Sequence, residues 1–360
     1  MRERLSRRSE LFLPLALLIP AWLGCVELAT EVAVAYLQAR LCTLCAAEAF
    51  QRAAAQEIDP RRVRGAWTAA FLTALPLLCA DWILSRDMVG WWRGGPPMSE
   101  NGMALLAGAA LALARLNEEY LRANAQNGSA ALSALLRALL LAGGVCCGPV
   151  WAAGAAALGW LVSLAVAAAL GGAPFARPNV AALKQTPAAL VRLLPWMVAA
   201  ELLLIAGYDG APWATAGYLL GMALYGCAGT AFRRTEAESV PLRLGLIAPA
   251  AALAAISPLL PAPVAALAAQ AGIAAFMGMI VYGAFTARGM LATLAAALAC
   301  VAAWMPARMY EAPAWLAPAA AYAAPALAFG ALALLWPDAR RMFFVRQARR
   351  RPVHSRQMLL

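Results

Sequence analysis

Long apolar runs alternate along this chain with short clusters of charges and helix breakers. The apolar runs cover residues 11–38, 41–56, 66–84, 102–121, 129–145, 151–170, 188–207, 212–231, 242–259, 263–285, 290–305 and 313–336. At about 1.5 Å of rise per residue most of them are long enough, upright or tilted, to cross a hydrocarbon core of roughly 30 Å. The joints read DPRR, GGPPMSENG, NAQNGS, CCGP, GGAPFARP, YDGAP, SPLLPAP, MPARMYEAP and WPD, all rich in residues that end helices. The pattern predicts an all-α, polytopic membrane protein of about twelve transmembrane helices, with antiparallel neighbours because the joints are short. The longest inner joint divides it into a first lobe over 1–172, a connector over 173–187, a second lobe over 188–336 and a basic tail over 337–360. An arginine-rich joint follows the second span of each half, DPRRVR in one and FRRTEAESVPLR in the other, the arrangement expected of parallel repeats with a site between them.

The first run, LFLPLALLIPAWLGCVELATEVAVAYLQ, reads as one tilted span that carries Glu27 and Glu31. A charge at mid-bilayer costs about 2.5 to 3.5 kcal/mol or more, so the i, i+4 face shared by these two carboxylates is expected to look into protein or water. Two readings stay open. Either the pair is a cation or proton site, or a polar lining, beside a wet crevice; or it lies near the headgroups and is simply solvated.

Composition narrows the class. A hydrophobic content of 64% with 13% charged residues excludes a soluble globular domain. MRERLSRRSE is a basic lead without a small-residue cleavage site behind it, so the first helix is expected to remain as an anchor. The net charge of +11 sorts by side of the membrane. With the amino terminus inside, inner joints receive Arg61, Arg62, Arg64, Arg122, Arg177, Lys184, Arg233, Arg234, Arg243, Arg288 and the tail, whereas outer joints receive Arg40, Arg86, Arg93 and Arg308. That asymmetry places both termini in the cytoplasm of a bacterial-type inner membrane. It assigns the tail RRMFFVRQARRRPVHSR to anionic lipid headgroups rather than to nucleic acid. Trp91, Trp92, Trp151, Trp213 and Trp315 fit an interfacial belt at the outer ends.

Reactive chemistry is sparse. Cys42 and Cys45 form a CxxC inside an apolar helix and the single histidine, His354, lies in the tail, so no metal site is expected. The adjacent Cys146 and Cys147 read as a small-residue turn, with redox chemistry as the other option. No Walker A loop, no GxSxG and no histidine cluster is present, which leaves no basis for an ATP-driven pump or a histidine-dependent membrane enzyme. No cofactor is expected.

Polar residues inside the spans concentrate in the first half. Glu48 has Arg52 four residues on and can pair within its own helix; Asp81 sits near an outer end; Glu201 is nearly alone in the second half. In ARLNEEYLRANAQNGS, the pairs Arg115 with Glu119 and Glu118 with Arg122 are both i, i+4. An ionic network at an inner mouth and a substrate gate are both compatible with that spacing. Arg137 falls about two turns into the next span, where its uses are to pair with Glu118 or Glu119 or to bind a phosphate through its planar fork.

Three stretches, LFLPLALLIPAWL, QEIDPRRVRGAWTAAFLTALPLL and ALARLNEEYLRANAQNGSAALSALLRALLLAGG, resemble the first lobe of the multidrug/oligosaccharidyl-lipid/polysaccharide exporter superfamily, which includes MATE antiporters and lipid-linked sugar flippases. The resemblance covers mainly residues 11–172; the second half matches in span count more than in residues, the first two spans are compressed, and the chain is short for twelve helices. It implies two six-helix lobes around a cavity, alternating access, and coupling to a proton or sodium gradient or to membrane potential. It puts Glu27 and Glu31 on a first-span segment that contributes polar lining or coupling groups, and Arg137 where it could meet a lipid phosphate.

The function expected is a flippase or exporter of a lipid-linked saccharide or polysaccharide. Arg115, Arg122 and Arg137 would guide the anionic headgroup, and Glu27 and Glu31 would tune access; Glu48, Glu118, Glu119 and Glu201 complete the candidate set. The alternatives are a MATE-like efflux carrier for organic cations and a non-transporting scaffold subunit of an envelope-assembly complex. Membrane lipids are the expected partners, with a lipid-linked saccharide and envelope-biosynthesis proteins beside them.

Overall fold

The computed structural model describes residues 9–56, 59–93, 102–171 and 175–180, with isolated positions beyond them. Every regular element among these is helical. A 3-10 turn, Ser9–Leu11, leads into α1 (Phe12–Trp22), followed by α2 (Val26–Cys42), α3 (Leu44–Gln56), α4 (Pro60–Arg93), α5 (Gly102–Ala123), α6 (Asn127–Cys147) and α7 (Pro149–Gly171). Spans expected at 66–84, 102–121, 129–145 and 151–170 thus fall within α4 to α7. The connector beyond residue 180, the second lobe and the tail lie outside the described residues apart from isolated positions.

The opening segment differs from the expectation. Residues 11–38 do not form one span; the chain turns at Leu23–Cys25. Gly24 adopts φ +97, the Gly24 N–H donates to the Ala21 carbonyl at 3.3 Å, and the Cys25 N–H donates to the Pro20 carbonyl at 2.9 Å. These bonds are the paired closures of a Schellman cap, which asks only for a residue tolerant of a left-handed backbone. Conversely, the joint expected at residues 39–40 is a bend of 48° between two consecutive helical stretches, Val26–Arg40 and Cys45–Gln51. The Thr43 hydroxyl donates back to the carbonyls of Ala39 (3.0 Å) and Arg40 (3.2 Å), a bond that competes with the helical ladder and bends it. Arg40, expected at an outer joint, therefore lies within this bent helix pair.

Packing gives the directions. Ala16 clusters with Ala138 and Ala142, Ser9 meets Arg122, and Cys25 comes within electrostatic range of Cys146, so α1 runs parallel to α6. The bent pair α2–α3 runs parallel to α5. A Cβ at Gly108 would fall 2.5 Å from the Ala35 carbonyl, and further along, Gln51 meets Glu119 and Phe50 meets Tyr120. α6 and α7 are antiparallel, with Gly144 against Trp151 and Gly159 against Arg137. Relative to the expectation, the first turn lies at Leu23–Cys25 rather than at residues 39–40. Ser9, the starts of α4 and α6 and the ends of α3, α5 and α7 share one end of the bundle, and Gly24 and Gly148 mark the other.

Among the described residues, three helical stretches are long and apolar enough to cross a membrane, Pro60–Ile83, Asn127–Cys147 and Pro149–Leu170, and the bent pair makes up to four when taken as one span. At about 16 Å, α1 alone is shorter than the hydrocarbon core. Leucines turned outward on α6 and α7, Leu132, Leu136, Leu139 and Leu161 among them, form the face suited to lipid. The core is alanine-rich, with bulk supplied by Trp67, Tyr120, Phe50 and Phe71 at the end that holds Ser9.

Candidate functional site

The last turns of α5 hold Arg115, Glu118, Glu119 and Arg122, and their helical spacing brings both carboxylates between the two guanidiniums. Arg115 Nη2 lies 2.9 Å from Glu119 Oε1 and its Nη1 3.2 Å from Glu118 Oε2. Arg122 Nη1 lies 3.1 Å from Glu119 Oε1 and its Nη2 3.9 Å from Glu118 Oε2. The two i, i+4 pairs read from the sequence are present, and an i, i+3 pair accompanies each.

Arg137 enters from α6. Its Nη2 lies 2.8 Å from Glu118 Oε1, and its Nη1 donates to the Leu111 carbonyl at 2.9 Å. The approach to Oε1 is close but off the hydrogen-bond line, since that oxygen has no aligned donor, and Arg137 Nε has no acceptor. Space for the arginine stem comes from α7: a Cβ on Gly159 would sit 2.9 Å from Arg137 Cγ. Two groups bind the rim. Gln51 Nε2 of α3 donates to Glu119 Oε2 at 3.3 Å, and Arg122 Nη2 donates to Ser9 Oγ at 2.8 Å.

Side-chain exposure across the cluster runs from 0% at Glu118 to 13% at Arg122, so the charges are buried and mutually compensated. Among the described residues, three guanidiniums gather round two carboxylates. Beside the cluster, Asn117 Nδ2 donates to Ser163 Oγ at 2.8 Å and ties α5 to α7. Gln51, Ser9, Gly159 and Asn117 carry no sequence signal for these roles, because each acts across helices.

The other expected residues lie elsewhere. Glu27 is exposed in the first turn of α2, just after the Gly24 turn, and Glu31 is half-buried one turn on. They stand at the end opposite the cluster, not midway along a span. Glu48 lies in α3, where its side chain is outside what the structure describes, and Glu201 lies outside the described residues. Cys42 and Cys45 flank the bend, with Cys45 Sγ 3.8 Å from the Cys42 carbonyl, and among the described residues no group of metal-binding side chains assembles.

The helices and their buried charge define an all-α, multi-pass membrane protein. No protein family matches the sequence, and no curated protein does either. Two solved structures are similar to it. One is a eukaryotic MATE transporter, 14% identical, covering 95% of this chain and 97% of its own, with a TM-score of 0.41. The other is a MATE mutant, 15% identical, covering 94% and 96%, with a TM-score of 0.44.

Proposed function

We propose that the protein is a non-enzymatic membrane transporter, a flippase or exporter that moves an anionic lipid-linked saccharide. The observation that carries this reading is the buried cluster in which Arg115, Arg122 and Arg137 gather round Glu118 and Glu119. Ionisable groups at membrane depth are costly and mark substrate or ion paths. Glu118 and Glu119 act as internal stand-ins for the substrate's phosphates. They hold the guanidiniums together until a phosphate or diphosphate headgroup, which Arg binds bidentately, takes their place.

The bent α2–α3 span supports the same reading. Interrupted helices line sites in transporters, and this one delivers Gln51 to Glu119. Glu27 and Glu31, at the far end, act on access from the opposite side.

The test uses the full chain in phospholipid vesicles with a fluorescent polyprenyl-diphosphate saccharide in one leaflet. Wild type moves label between leaflets, and Arg137→Gln slows this at least about tenfold by removing a charge-assisted contact. Movement no faster than in empty vesicles, from wild-type protein shown to be folded, rejects the flippase.

A further inference from the structure

The sequence presents the connector after α7 as a plain link between halves, yet its first part is bonded to α4. The Ala176 N–H donates to Thr68 Oγ1 at 3.2 Å, and the Asn179 N–H donates to the Gly65 carbonyl at 3.0 Å. Between them the Arg177 carbonyl passes so close to α4 that a Cβ on Gly65 would lie 2.7 Å from it. Phe175 sets its ring 5.3 Å from Trp67 and 5.6 Å from Phe71. The Asn179 carbonyl then accepts from the Leu183 N–H at 3.0 Å, opening the next helical turn, and Leu183 packs on the aromatic core.

We propose that residues 175–180 are a releasable clasp that fixes the rest of the chain to the start of α4. Three features suit release. The bonds to α4 named above come from main-chain donors, Phe175 remains half-exposed, and the site on α4 is a bare glycine that no side chain fills. Docking also reaches the ionic cluster. Trp67 stacks on Tyr120 at 5.5 Å, and Tyr120 follows Glu119 directly in α5. Closing or opening the clasp shifts the packing behind Glu119, so whatever pulls on the chain past residue 187 is felt at α4 and α5 first. The clasp does not depend on what the protein carries.

Limited chymotrypsin digestion of the full-length protein tests this, because Phe175–Ala176 is a cleavable bond whose backbone is held when the clasp is shut. Gly65→Val is expected to speed cleavage there at least about tenfold, since a protease reads the open population. Thr68→Val, which keeps shape and loses the acceptor, is expected to speed it about threefold, in line with one modest hydrogen bond. Gly154→Ala, in open space on α7, leaves the rate unchanged. Equal rates in wild type, Gly65→Val and Thr68→Val overturn the clasp. Hydrogen exchange on wild type tests docking without any substitution: slow exchange at Ala176 and Asn179 supports it, and exchange at the rate of free peptide rejects it.

Discussion

Two acidic pairs sit at opposite ends of the same bundle. Glu118 and Glu119 are buried between arginines, whereas Glu27 is exposed and Glu31 half-buried beside a turn. Both pairs look equally out of place in an apolar sequence. The difference lies in how many elements contribute: α3, α5 and α6 send a group to the first pair, the Ser9 turn holds Arg122, and α7 makes room. A carboxylate is expensive in a membrane protein only where the fold has removed its water, and the fold does so at one end.

Arg137 offers the sharpest way to break this contrast. Arg137→Ala leaves fully buried Glu118 with less compensation and is expected to destabilise the bundle by about 3–5 kcal/mol, read as a drop in melting temperature in detergent. Pairing it with Glu118→Leu is expected to restore most of the loss, because the unpaired charge, not the missing bond, is what costs. Gly159→Val is next: it crowds the Arg137 stem and is expected to cost about 1–3 kcal/mol, with Gly143→Ala, in open space on α6, as the silent control. At the other end, Gly24→Ala forces a side chain into φ +97 and is expected to cost about 1 kcal/mol. Ala125 tests the same cap in reverse. It holds φ 59 where α5 ends, and Ala125→Gly is expected to raise stability by up to about 1 kcal/mol. Smallest of all, Glu27→Gln is expected to stay within about 0.5 kcal/mol. A large loss there would equate the two ends and undo the comparison.

Much of the helical rhythm is legible in the sequence because breakers with polar neighbours mark most turns, as at Asp59–Pro60. There the Asp59 carboxylate caps the Arg61 N–H at 2.9 Å and Pro60 takes the first helical position. The Gly24 turn escapes such a reading since it lies among Trp22, Leu23 and Cys25, with no polar residue to break the apolar run. The joint expected at Arg40 rests on a charge, and a charge does not end a helix. Within the cluster, spacing along α5 foretells the local pairs, and chemistry matches Arg137 with Glu118. Gln51, Ser9 and the Gly159 recess depend on which helices become neighbours, and periodicity within one helix says nothing about that.

Gly108 has the widest mechanical consequence. With its Cα pressed on the Ala35–Tyr36 backbone, there is no layer of side chains between α2 and α5 to act as a bearing. At this level the two helices are keyed together, and even one methyl group added at Gly108 would have to push their backbones apart.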